Sequence, residues 1–114
     1  MKIERFEDII AWQKAELLAS AIYSVFSSNK DFGFKDQIQR ASISVMNNIA
    51  EGFERKTNND FKHFLFISKG SCGEVRSMLY IAKSLNYIYK EDFEKLYQKC
   101  LEISKILSGL IKTL

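Results

Sequence analysis

Apolar residues recur at steps of three and four through nearly the whole chain, in four blocks divided by short polar breaks. In the first block Ala11, Ala15, Leu18, Ile22 and Val25 fall on one face of a helix. Glu7 and Asp8 precede them, where carboxylates favour the positive end of the helix dipole. A first helix is therefore predicted over residues 7–26. The polar, glycine-containing stretch 27–33 ends it. In the second block Ile38, Val45, Ile49 and Phe53 share a face, which predicts a helix over 34–56 with Arg55 and Lys56 complementing its negative end. Residues 57–59 make a short connection, and Asn58 or Asn59 is a suitable N-cap.

The third block predicts a helix over 60–85. Its seam is Phe61, Phe64, Ser68, Ser71, Val75, Met78, Ala82 and Leu85, widened by Leu65, Cys72 and Leu79. Asn86 suits a left-handed stop. The fourth block, from Glu91 to the end, repeats Phe93, Leu96, Cys100, Ile103, Leu107, Leu110 and Leu114. Four helices joined by short loops give an all-α, up-down-up-down antiparallel four-helix bundle. The seven-residue period predicts a left-handed twist with crossing angles of about +20°.

Two helices carry more than a core face. In the second, Gln37, Arg40, Ser44, Asn48, Glu51 and Arg55 form an ordered polar stripe. The stripe either joins one hydrogen-bond network along the helix or faces a neighbouring subunit. Arg40, Glu51 and, on the third helix, Glu74 lie beside core positions. They are expected as buried partners in structural ion pairs, since a buried charge needs a counterpart. The third helix is apolar on a second side, with Phe66, Ile67, Tyr80 and Ile81 around Gly70 and Gly73. Such a helix is either buried on every side of one bundle or presents a subunit interface. Four helices in one layer rarely cover a helix all round, which favours the interface. Each glycine costs about 1 kcal/mol in a helix interior, so both imply close packing.

Composition narrows the class. The 114 residues suffice for one domain with one core. With 46% apolar and 27% charged residues the chain is globular, and the lack of proline suits long helices. The net charge is only +3, and its excess lies mainly in residues 60–89. There Lys62, Lys69, Arg76 and Lys83 recur every seven residues, about 10 Å apart along one helix face. They form either a solvated boundary whose stems cover apolar surface, or a track for a phosphate backbone. Self-association would multiply the field of that track. No aromatic signature for base reading accompanies it in the sequence.

Enzyme chemistry finds no constellation. A di-metal carboxylate site needs paired Glu-x-x-His motifs, and His63, the single histidine, follows Asp60 at that spacing. No glycine-framed serine elbow is present, and residues 70–73 lie mid-helix with no preceding strand, unlike a phosphate-binding loop. Cys72 and Cys100 sit at core positions as reduced thiols, and with one histidine they do not complete a zinc site. No catalytic residue, metal, cofactor or small-molecule substrate is expected. No apolar run is long enough to cross a membrane and no targeting segment is visible, so the cytoplasm is the expected location.

Several segments together resemble a known family. Residues 11–15 (Ala-Trp-Gln-Lys-Ala) look like its first-helix motif. Gln37, Arg40-Ala41, Ser44, the Asn-Ile-Ala-Glu-Gly run at 48–52 and Arg55 look like its central signature. Phe61, Phe64-Leu65, Gly70-Ser71 and Glu74 look like its third-helix motif. The chain is thereby identified as resembling the bacterial four-helix-bundle proteins encoded in intervening sequences of 23S ribosomal RNA genes. Asn86 departs from the glycine common there, and asparagine tolerates the same turn. The resemblance implies a left-handed bundle that assembles as a homopentamer, and it implies no activity. A related branch, the accessory proteins of diversity-generating retroelements, is similar in fold. Its members are more basic pentameric barrels that bind nucleic acid and a reverse transcriptase.

The expectation is a non-enzymatic homo-oligomer that binds RNA or DNA through Lys62, Lys69, Arg76 and Lys83. Its interface would use Phe66, Ile67, Gly70, Gly73, Tyr80 and Ile81. The alternative is a protein-interaction scaffold without nucleic-acid affinity.

Overall fold

The computed structural model describes residues 2–114. After a short 3-10 turn at Phe6–Asp8 come four helices: α1 (Ile10–Val25), α2 (Phe32–Phe53), α3 (Asn58–Ser84) and α4 (Lys90–Lys112). Each helix packs on the next and α4 returns to α1, with α2 against α3 the most extensive pairing. Short loops make neighbours antiparallel, which closes an all-α four-helix bundle. At 43 × 22 × 19 Å it is one helix long, since the 27 residues of α3 span about 40 Å.

Most of the predicted core stands along α1, α2 and α4, where Leu18, Ile22, Ile38, Val45, Ile49, Ile103 and Leu107 are sealed from solvent. Val25, Phe53, Leu110 and Leu114 are half-buried at the helix ends, and Ile9, Phe26, Phe34 and Ala41 join the core. On α3 the seam runs instead through Leu65, Ser68, Cys72, Val75, Leu79 and Ala82. Phe61, Phe64, Ser71 and Met78 are half-buried beside it, and Leu85 is exposed. The shift has a simple cause. A helix held between two neighbours centres its buried face between them, and the residues taken as widening the seam are that centre. Ser68 is accommodated there because its hydroxyl donates to the Val45 carbonyl at 2.6 Å. Among the described residues no buried side-chain nitrogen or oxygen lacks a partner. Cys72 and Cys100 are free and buried, and the Cys72 thiol donates to the Cys100 carbonyl at 3.2 Å. Contact with Cys72 and burial push the Cys100 thiol well above its ordinary pKa.

The helix ends differ from expectation by a few residues. Glu7 and Asp8 lie in the 3-10 turn rather than in α1. That turn lets Ile9 enter the core and sets Phe6 edge-on to Trp12, with ring centroids 5.2 Å apart. The Asp31 carboxylate accepts from the Phe34 amide at 3.2 Å, so α2 starts at Phe32. Thr57, not Asn58 or Asn59, caps α3: it is the extended residue, and its hydroxyl accepts from the Asp60 amide at 3.1 Å. Asn86 takes φ 59°, and the Tyr87 amide bonds the Ala82 carbonyl at 2.8 Å, giving the anticipated left-handed stop.

Gly52 sets how closely α2 meets α3. A Cβ there would stand 2.6 Å from the Phe64 Cβ and 3.2 Å from the Phe61 carbonyl oxygen.

Candidate nucleic-acid interface

The seven-residue repeat on α3 places Lys62, Lys69, Arg76 and Lys83 along its α4 side. The first three are half-buried and Lys83 is exposed. The bundle's ion pairs are Arg5–Glu7, Lys14–Glu102, Arg40–Asp36 and Arg55–Glu51. The stripe takes part in none of them, so among the described residues its four cations are uncompensated. Two rest on aromatic faces of α4 instead. The Lys83 ammonium lies 4.7 Å from the Phe93 ring centroid and the Arg76 guanidinium 6.0 Å from that of Tyr97.

Between those two cations stands Tyr80. Its ring meets Phe93 edge-on at 5.5 Å and Tyr97 edge-on at 5.6 Å, and its hydroxyl donates to the Tyr97 hydroxyl at 3.1 Å. That bond holds the Tyr80 phenol above its ordinary pKa. Phe93 stacks on Tyr97 with centroids 5.6 Å apart. Sequence reasoning assigned Phe93 to the core and overlooked Tyr97. The available signal was the residue's place beside Leu96, on the flank of α4 that turns to α3.

The second apolar side of α3 is uncovered in the single chain. Phe66 is 54% exposed, and Ile67 and Ile81 are exposed beside it. A Cβ at Gly70 or Gly73 would meet nothing within 4 Å. A helix buried on every side of one bundle is thereby excluded. These glycines permit no close approach inside the chain, which is the role Gly52 takes.

The polar stripe of α2 forms four separate pieces rather than one network. Gln37 donates to Glu74 across the groove at 3.3 Å. The Ser44 and Ser71 hydroxyls bond at 2.9 Å, and Asn48 donates to the Ser44 hydroxyl at 2.9 Å and to its carbonyl at 2.8 Å. Arg40 and Glu51 pair within their own helix, with Asp36 at 2.8 Å and Arg55 at 3.3 Å. Arg40, Glu51 and Glu74 are exposed, which corrects the expectation of buried ion pairing. Only the stripe's inner edge reaches α3; residues at steps of three from it rotate outward into solvent.

Among the described residues no other surface gathers chemistry. A concavity of about 610 Å³ is an open patch on α4 lined by Glu94, Lys95, Gln98, Lys99 and Glu102. Among the described residues no three His, Cys, Asp or Glu side chains converge to hold a metal, and no helix is long and apolar enough to cross a membrane. His63 is exposed and set edge-on to Phe64 at 5.5 Å.

Fold and surface define an all-α bundle with an uncompensated basic edge. Residues 7–109 match the family model for the 23S rRNA-intervening sequence protein, and the chain belongs to that family. It is similar to a crystal structure of a protein of unknown function from the S23 ribosomal protein family of Bacteroides thetaiotaomicron. The TM-score is 0.85 at 27% identity, covering 90% of this chain and 99% of that one. No curated protein matches the chain.

Proposed function

We propose that the protein is a non-catalytic, self-associating bundle that holds a nucleic acid along the α3 edge by charge. The observation that supports this most is the stripe itself. Lys62, Lys69, Arg76 and Lys83 span about 30 Å with no carboxylate paired to any of them. On α3 itself no carboxylate stands three or four residues from any of them, the spacings at which a helix pairs opposite charges. Assembly of several copies through Phe66, Ile67, Ile81 and the open glycines would gather several such edges and raise the local potential above what a charge of +3 provides. The pentamer implied by the family resemblance is one such assembly. The same apolar face also favours a second reading, a scaffold for another protein with the basic edge idle.

Fluorescence anisotropy against a structured RNA and a DNA duplex separates the two. Four phosphate contacts per bound face give affinity that falls by about a hundredfold when salt rises fourfold. A variant with all four cations changed to Glu, its helical content intact by circular dichroism, loses that binding. A wild-type protein that binds neither nucleic acid at low salt removes the proposal and leaves the scaffold.

A further inference from the structure

The basic edge differs along its length. Around Lys62 and Lys69 it is cations on a helix. Around Arg76 and Lys83 it is cations laid on a floor of three rings, Tyr80, Phe93 and Tyr97. Two of those rings are occupied: Lys83 lies over Phe93, which is buried, and Arg76 over Tyr97. The third, Tyr80, carries no cation and is 52% exposed. Its hydroxyl is tied to Tyr97 and its ring packs edge-to-face with two others, so three contacts orient the side chain. It lies four residues after Arg76 and three before Lys83, the spacings that put residues side by side on one helix face.

An oriented, half-exposed ring between two uncompensated cations is of little use to a duplex, whose base faces are already stacked and whose backbone is met by charge alone. It suits a strand with unpaired bases, where aromatic stacking and phosphate neutralisation work together at adjacent points. From this placement we infer that the ligand of the α3–α4 edge is a single-stranded nucleic acid, with one base stacked on Tyr80 and the flanking phosphates on Arg76 and Lys83. This rests on the nucleic-acid reading above and specifies its ligand. The ring is read by face and not by hydrogen bond, so the site tolerates any base. Phe66 and Ile81, on the outward side of α3, have no cation set against an aromatic neighbour and do not belong to it.

The test uses the full-length protein in its native assembly state, with a labelled oligouridine alone and the same strand annealed to oligoadenosine. Wild type binds the single strand more tightly than the duplex. Tyr80→Ala weakens single-strand binding by roughly tenfold, the loss of one stacked base, and leaves duplex binding unchanged. Tyr80→Phe, which keeps the ring and drops the hydroxyl, stays within about threefold of wild type. Light scattering follows assembly size in parallel. The inference is overturned if wild type prefers the duplex, if Tyr80→Ala binds the single strand as wild type does, or if it weakens both ligands alike or changes assembly size. It falls alone if the four-Glu variant loses binding while Tyr80→Ala does not. If wild type binds neither ligand, the nucleic-acid reading falls with it.

Discussion

Gly52→Ala perturbs the point where α2 presses closely on α3. The added Cβ would lie 2.6 Å from the Phe64 Cβ, 3.1 Å from the Phe61 Cδ1 and 3.2 Å from the Phe61 carbonyl oxygen. Carbon atoms at rest sit about 3.5–4.0 Å apart, so the first contact is short by about 1 Å. Neither the Phe64 Cβ nor the Phe61 carbonyl moves with a rotamer change. The two helices must separate along their most extensive pairing. Overpacking costs about 1–3 kcal/mol, and a contact this short against atoms fixed to the backbone falls in the upper half, about 2–3 kcal/mol. Replacing a helical glycine returns up to about 1 kcal/mol in backbone propensity. The net is a loss of about 1–2 kcal/mol, or a Tm lower by roughly 4–10 °C for a chain of this size. Urea titration followed by circular dichroism reads it, at matched protein concentration because assembly links stability to concentration. Gly109→Ala is the control, since a Cβ there meets nothing within 4 Å and the residue lies on α4, away from the face proposed for self-contact. A Gly52→Ala protein as stable as wild type, or more so, would refute the steric argument.

Two further outcomes follow from the surface and the α2 cap. Phe66→Asp places a charge on the exposed apolar side of α3, where the single bundle does not need the ring. The protein keeps its helical content and its assembly size falls by light scattering; an unchanged size removes that face from the self-contact. Asp31 accepts bonds from the Tyr87 hydroxyl at 2.8 Å and from the Phe34 amide at 3.2 Å. These hold its carboxyl below the ordinary value of 3.8. The stabilisation is therefore present above that value and lost as pH falls through the lowered one. The difference in urea midpoint between wild type and Asp31→Asn, present near neutrality, closes once the medium is more acidic than that carboxyl. A difference that persists unchanged in strong acid would mean that the ionised carboxylate does not tie the start of α2 to the loop between α3 and α4.

Much of the molecule was legible before any coordinates. Steps of three and four identified four helices and most of the core, because a helix buried on one side must repeat its apolar residues at its own period; Ile9, Phe26 and Phe34, at the helix ends, enter the core through the turns. Asn86 announced the left-handed stop, since few residues tolerate φ near 60°. The seven-spaced cations were visible for the same reason of period, and Cys72 and Cys100 were rightly placed in the core.

The rest depended on which helices meet. Periodicity shows that a face is buried but not the angle at which it is shared, so the centre of the α3 seam moved to Leu65, Cys72 and Leu79. Local pattern ranks all helical glycines alike, and only packing separates Gly52, pressed against α3, from Gly70 and Gly73, which face open space. Arg40 and Glu51 were taken for buried partners because a polar stripe beside a core looks the same whether it turns inward or outward. The aromatic floor beneath Arg76 and Lys83 joins residues of α3 to residues of α4, and no spacing within one helix encodes that meeting. A single helix determines its own faces from its sequence; which side chains become neighbours across two helices is decided by the packing that brings them together.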